Sequence, residues 1–163
     1  KRTFDSAQTD IIFSNFGGLN CINSEEIKDF INNLSKVQVK DQKIAFVIMP
    51  KYCLMEILFF GLRFQFKKAF QRSNDYAAVD VEGVMVKTFY HSPNTLKRIL
   101  EEHEYKIKLT KPVALFLPPS YLEKWMVRFP FLLKFLSFHE RIFGRLSFGA
   151  NLSDHYIIIA EKN

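Results

Sequence analysis

Cysteine is scarce in this chain. Cys21 and Cys53 are the only two among 163 residues. Their spacing suits neither a metal-ligand pair nor a redox dithiol, so both are expected to be reduced, as in a cytoplasm. No run reaches the ~18 uncharged apolar residues that a membrane-spanning helix needs. The opening Lys1-Arg-Thr-Phe-Asp5 has no apolar stretch of the secretory kind, and Lys1 is not a natural initiator, so residues upstream are expected. The formal charge is +6, but basic and acidic residues are interleaved. No zinc knuckle, helix-turn-helix or aromatic RNA-binding strand accompanies them, so nucleic acid is not an expected partner. The charge supports a modest attraction to anionic substrates or membrane surfaces. There is no internal repeat, no low-complexity tract, no catalytic triad and no metal-ligand cluster.

What is present reads as one globular domain. Hydrophobic residues make up 48% of the chain and charged residues 25%, enough for a core at this length. Ile11, Ile12 and Phe13 run without polar alternation, as in a strand buried on both faces of a parallel sheet. Ser24 is expected to cap a helix, with Glu25 and Glu26 in its first turn and Ile27, Phe30, Ile31 and Leu34 as its buried stripe. Lys43–Met49 is a second buried strand closed by Pro50. Strand, helix and strand form one right-handed parallel crossover.

A very apolar helical segment follows from Lys51 to about Phe70, with Gly61 weakening its continuity. Val79 to Tyr90 reads as strand with a turn at Glu82-Gly83. Ser92-Pro93 opens a helix carrying Leu96, Ile99 and Leu100, and a strand runs from Tyr105 to about Leu109. From Pro118-Pro119 a long amphipathic segment follows, through Leu122, Trp125, Phe129 and Leu133, with Pro130 forcing a kink or a fresh start. Its other side carries Lys124, Arg128, Lys134 and Arg141. Residues 147–153 read as loop, and His155–Ala160 as the last strand.

The residues after the first strand carry the sharpest signal. Ser14-Asn15-Phe16-Gly17-Gly18-Leu19-Asn20-Cys21 places polar groups at the carboxyl end of a buried strand, where open α/β sheets bind ligands. The two glycines allow a tight turn and close backbone approach. This run resembles the loop after the fourth strand of class I S-adenosylmethionine-dependent methyltransferases, in particular a bacterial small-molecule branch. Ala69-Phe-Gln-Arg72, Phe89-Tyr-His-Ser-Pro93, Pro118-Pro-Ser-Tyr-Leu122 and Asp154-His-Tyr-Ile157 fit the same pattern. The family's glycine-rich loop after the first strand, and the acidic residue ending the second, have no counterpart here.

The resemblance implies the second half of a Rossmann-like α/β sheet, with strands four to seven and the seventh antiparallel. The chain would be a single partial domain, 1–163. Residues about 51–91 and 118–152 would be lid-like insertions that shape an acceptor pocket. Ser14, Asn15, Phe16 and Gly17 would run past the methionine end of S-adenosylmethionine, with Phe16 and Leu19 walling the reaction pocket. Tyr90 and His91 would touch a small-molecule acceptor, with His91 a possible base. Arg72 would hold an acidic group of the acceptor, or else be a solvated surface charge. Asn15 has a structural alternative as an Asx turn, and His91 as a residue satisfied by backbone at the start of a helix. His155 beside Asp154 reads as a structural pair.

The resemblance also implies a missing partner, either an N-terminal half or another chain that completes the sheet beside the first strand. Two other functions suit the same residues. One is a non-catalytic binding or assembly module that keeps the fold. The other is a peripheral membrane protein using the aromatic and basic residues of 118–148.

Overall fold

The computed structural model describes residues 11–15, 17–81, 83–119 and 128–163. Its centre is a four-stranded sheet, built from β1 (Ile11–Ser14), β2 (Lys43–Ile48), β5 (Tyr105–Val113) and β6 (His155–Lys162), in the order β1-β2-β6-β5. β1 and β2 are parallel, and β6 runs antiparallel to both β2 and β5. Three strands therefore point one way and the last strand of the chain is inserted against them. This is the arrangement expected for strands four to seven with the seventh reversed.

Between β1 and β2 lies α1 (Ser24–Val37), which buries Ile27, Ile31 and Leu34. Phe30 stays on the rim. The helix is capped one residue earlier than expected. The Asn23 side chain accepts from the Glu25 and Glu26 amides at 2.9 and 3.0 Å, and Glu26 returns a carboxylate to the Asn23 N–H at 2.7 Å. That reciprocal box satisfies three amide donors at the helix start, whereas the Ser24 side chain is already inside the first turn. α4 (Pro93–Glu102) begins as expected, with Ser92 accepting from the Thr95 amide and proline in the first turn. It buries Pro93, Leu96, Ile99 and Leu100. These two helices and the inner faces of β2, β5 and β6 form the core, around Phe46, Ile48, Tyr105, Tyr156 and Ile158.

β5 is longer than expected. It continues past Leu109 to Val113 because β6 offers it a full antiparallel partner, with a register shift between Ile107 and Leu109. β6 likewise extends to Lys162. Residues 147–151, expected as loop, form a 3-10 helix.

Two further parts stand outside the sheet. The segment after β2 divides at its weak point into α2 (Leu54–Gly61) and a single turn, α3 (Phe66–Ala69). Phe64 takes a left-handed conformation between them. β3 (Ala77–Val81) and β4 (Val84–Thr88) then form a separate antiparallel hairpin. After β5, α5 (Pro130–Phe143) occupies the second part, starting afresh at Pro130. Residues 120–127, including Leu122, Lys124 and Trp125 of the expected amphipathic segment, lie outside the described residues.

The outer edge of β1 pairs with no strand among the described residues. Its side chains Ile11 and Phe13 are 50% and 59% exposed. A parallel strand with apolar residues at an open edge is the pattern expected if the sheet continues on that side.

Candidate functional site

The loops leaving the carboxyl ends of β1 and β2 meet the loop that leads from β4 into α4, and one side chain ties all three. Asn20 is fully buried in the 3-10 turn Gly18–Cys21. Its carbonyl oxygen accepts from the Met49 amide at 2.9 Å. Its amide nitrogen donates to the carbonyls of Met49 and Phe89 at 3.2 and 2.5 Å. The Phe89 N–H returns a bond to the Asn20 carbonyl at 2.7 Å, and the His91 N–H reaches the Met49 carbonyl at 3.2 Å. A buried amide satisfied on both ends fixes its neighbours tightly, because any alternative arrangement strands polar groups without water.

Gly17 makes this convergence possible. Its φ of +71° is in the left-handed region, and a Cβ there would come within 2.9 Å of the Met49 methyl. The turn is closed by the Gly18 N–H donating to the Asn15 carbonyl and the Asn20 N–H donating to the Gly17 carbonyl. Asn15 and Gly18 remain on the surface of this loop, Ser14 is half-buried, and Leu19 is buried in the core. A Cβ on Gly18 would meet only the Ser14 hydroxyl, at 3.5 Å. Phe16 lies outside the described residues.

His91 is buried and its Nε2 faces the Ile22 carbonyl at 3.1 Å, so the ring donates there and Nε2 carries the proton. Burial pushes its pKa down; the Ile22 carbonyl pulls the other way and nearby Lys51 pushes it down again. The ring is thereby held neutral and committed to the backbone, the arrangement of a residue that fastens the start of α4. Beside it, Asn23, Ser24, Lys51, Asp75 and Tyr90 line a shallow hollow of about 280 Å³.

Arg72 departs from both of its expected roles. It is neither on the surface nor free to take a ligand's acidic group. Its guanidinium is buried, with Nε and Nη2 on the two Glu56 oxygens at 2.9 and 2.7 Å. Nη2 also reaches Asp154 Oδ1 at 2.6 Å, and Nη1 the Asp154 carbonyl at 2.8 Å. Four of its five N–H donors are thus engaged within the protein. The same cation lies 5.4 Å from the Tyr90 ring centre. Asp154 in turn accepts from His155 Nδ1 at 3.0 Å, which is the structural pair expected from the sequence.

Burial pushes the Asp154 carboxyl up, but the bonds from His155 and Arg72 outweigh it and hold the group below its ordinary value. Cys53, buried beside them, is pushed up to about 12, chiefly by burial, and stays a thiol. The ligand-type atoms of Cys53, Glu56 and Asp154 lie within 4.8 Å of one another. The positive charge between the two carboxylates is already supplied by Arg72.

The structure therefore brings Gly17, Asn20 and the Phe89–His91 loop together, and sets Tyr90 on a buried ion cluster. Asn20 and Glu56 were not singled out as partners from sequence, and Asp154 was paired there with His155 but not with Arg72. Glu56 did carry a signal, since a lone acid in Leu-Met-Glu-Ile-Leu-Phe-Phe demands a buried cation.

A second, mostly apolar hollow of about 430 Å³ opens between α2 and α5, lined among others by Met55, Leu58, Phe116, Leu132 and Phe135, with Arg63 and His139.

No protein-family model matches the sequence, and no curated protein does. Solved structures do match in fold. A SAM-dependent methyltransferase from Methanosarcina mazei superposes with a TM-score of 0.58 at 12% identity, over 99% of this chain and 63% of that one. A putative S-adenosylmethionine-dependent methyltransferase from Listeria monocytogenes gives 0.53 at 11% identity, over 94% and 61%. One from Clostridium acetobutylicum gives 0.50 at 9% identity, over 94% and 58%. The chain thus has the fold of a class I methyltransferase and spans about three fifths of the length of these structures.

Proposed function

We propose, from that fold, that this chain supplies the acceptor side and part of the cofactor pocket of an S-adenosylmethionine-dependent methyltransferase acting on a small molecule. The observation that carries the reading is the glycine turn at the carboxyl end of β1, locked by Asn20 to the ends of β2 and β4. It leaves an open backbone surface at Ser14, Asn15 and Gly18, with no side chain on the glycine to block approach. This suits the methionine end of the cofactor, and Ser14 to Leu19 would hold it. When bound, the cofactor supplies an electrophilic methyl group on a sulfonium.

The residues of this chain then have positioning work. Tyr90, seated on Arg72, faces the acceptor. His91 fixes the loop that presents Tyr90 and, committed to a backbone carbonyl, serves as a tie between loops rather than a base. Residues about 51–91 and 118–152 act as the lid over the acceptor. The ribose-binding acid and the first glycine loop belong to a preceding half or a second chain, which would pair with the open edge of β1.

The test is a calorimetric titration with S-adenosylhomocysteine of the protein expressed from its complete reading frame. Saturable one-to-one binding, weakened by Asn15→Trp, is the expected result. A folded protein that takes up no heat at any concentration would leave a non-catalytic module with this fold.

A further inference from the structure

Among the described residues, two open apolar surfaces bear on what else the chain can bind. One is the β1 edge. The other is the face made by α2 and α3, which follow β2, and α5, which follows β5. There the Phe116 N–H donates to Glu140 of α5 at 2.7 Å, and Leu115 packs closely against Gly149 of the 3-10 helix that follows α5. A strand that completes the sheet beside β1 adds at the edge opposite β5.

The face concentrates both aromatic and positive character. Residues 54–70 and 128–148 hold eleven of the chain's 18 phenylalanines. Phe64, Phe131 and Phe148 are 83%, 84% and 69% exposed. The same two stretches hold seven basic and two acidic residues, a net +5 of the chain's +6. Arg63, Lys67 and Lys68 are exposed around α3, and Arg128, Lys134, Arg141 and Arg145 along and beside α5. Of the two acids, Glu56 is buried against Arg72, and Glu140, half-buried, accepts from the Phe116 amide, so the exposed charge of the face stays strongly positive.

We infer that this face docks on an anionic phospholipid bilayer, with an acyl chain entering the apolar hollow between α2 and α5. Large exposed rings interleaved with Lys and Arg match the boundary between acyl chains and negative headgroups, where rings insert and long basic stems reach outward. The interface of a protein partner would instead have a core depleted in charge. The hollow is lined mainly by Leu, Phe and Met, with Arg63 and His139 as its polar members, so it suits a hydrocarbon chain next to an anionic headgroup. Docking of this kind does not depend on methyl transfer.

The experiment is co-sedimentation of the full-length protein with two vesicle types, phosphatidylcholine alone and phosphatidylcholine containing a quarter phosphatidylglycerol, at low and high salt. Binding to the anionic vesicles only, weakened by salt, is expected. Each basic residue neutralised near the surface lowers partitioning about fivefold. Arg128→Glu, Lys134→Glu and Arg141→Glu together should therefore abolish it, as should the triple change of Phe64, Phe131 and Phe138 to Ser. All six side chains are exposed, and circular dichroism checks that each variant is folded. Equal binding to both vesicle types, or binding indifferent to the charge reversals, overturns the inference. So does an absence of vesicle binding together with a dimer that the Phe changes dissociate, which would mean that a second copy covers the face.

Discussion

α4 and α5 both begin with a proline in the first turn and carry apolar residues at helical spacing, yet they end in opposite environments. α4 buries four residues against β5 and β6. α5, four residues longer, buries none. α2 is a third case: its single buried side chain is Glu56, and it is held to the sheet end by Arg72 and Asp154. An apolar stripe therefore shows that a helix has something to cover, not that this chain supplies the cover. In the sheet the anchors are methyl groups. In α2 and α5 they are an ion cluster and a few polar bonds, which hold the helices in place while their apolar sides stay open.

Breaking the ion anchor should have the largest effect. Arg72→Met leaves Glu56 and Asp154 buried without a cation and is expected to cost about 3–5 kcal/mol in urea denaturation. The double change with Glu56→Leu should recover part of that loss, because a buried pair can be replaced by apolar groups more cheaply than it can be halved. No recovery would mean that Arg72 acts through Asp154 alone.

Next comes the apolar anchor. Leu100→Ala in α4 should cost about 2–5 kcal/mol, since the side chain is fully buried and its neighbours belong to a packed core. A smaller loss would put α4 nearer to α5 than the comparison allows.

Acid should loosen the loop ties before it touches the apolar core. His91 and Asp154 both have folded-state pKa values below their unfolded ones, so the unfolded chain binds more protons in the intervening range and stability falls with falling pH. The His91 contribution is complete above about pH 6.5 and is lost as pH drops through the lower folded value. The Asp154 contribution is lost further down, below the usual carboxylate range. His91→Gln should flatten the upper part of a melting-temperature profile and leave the lower part. The smallest effect belongs to α5: Phe131→Ser should change stability by no more than about 0.5 kcal/mol, because that ring touches little of this chain.

Much of the sheet was legible because its strands are apolar runs bounded by Gly, Pro and Ser, and the antiparallel last strand followed from the resemblance. The helix cap was misread by one residue because Asn23 and Ser24 are both good caps, and only the meeting of the Asn23 oxygen with two amides decides between them. The end of β5 was missed because Lys111, Pro112 and Val113 have no strand pattern of their own and are strand only against β6. Arg72 was placed wrongly, on the acceptor or in solvent, since its partners are 16 and 82 residues away in sequence. Asn20, though quoted in the glycine run, gave no local sign that it would join three loops. The exposure of α5 was unreadable in principle, as periodicity names the apolar side of a helix and not its partner.

The most direct test of the account is to follow backbone amide resonances of isotopically labelled full-length protein as S-adenosylhomocysteine is added. Within this chain, shifts confined to Ser14–Asn20 and the Phe89–His91 loop are predicted, while the amides of α5 stay unmoved. Saturating ligand that leaves the Ser14–Asn20 amides where they were would contradict it.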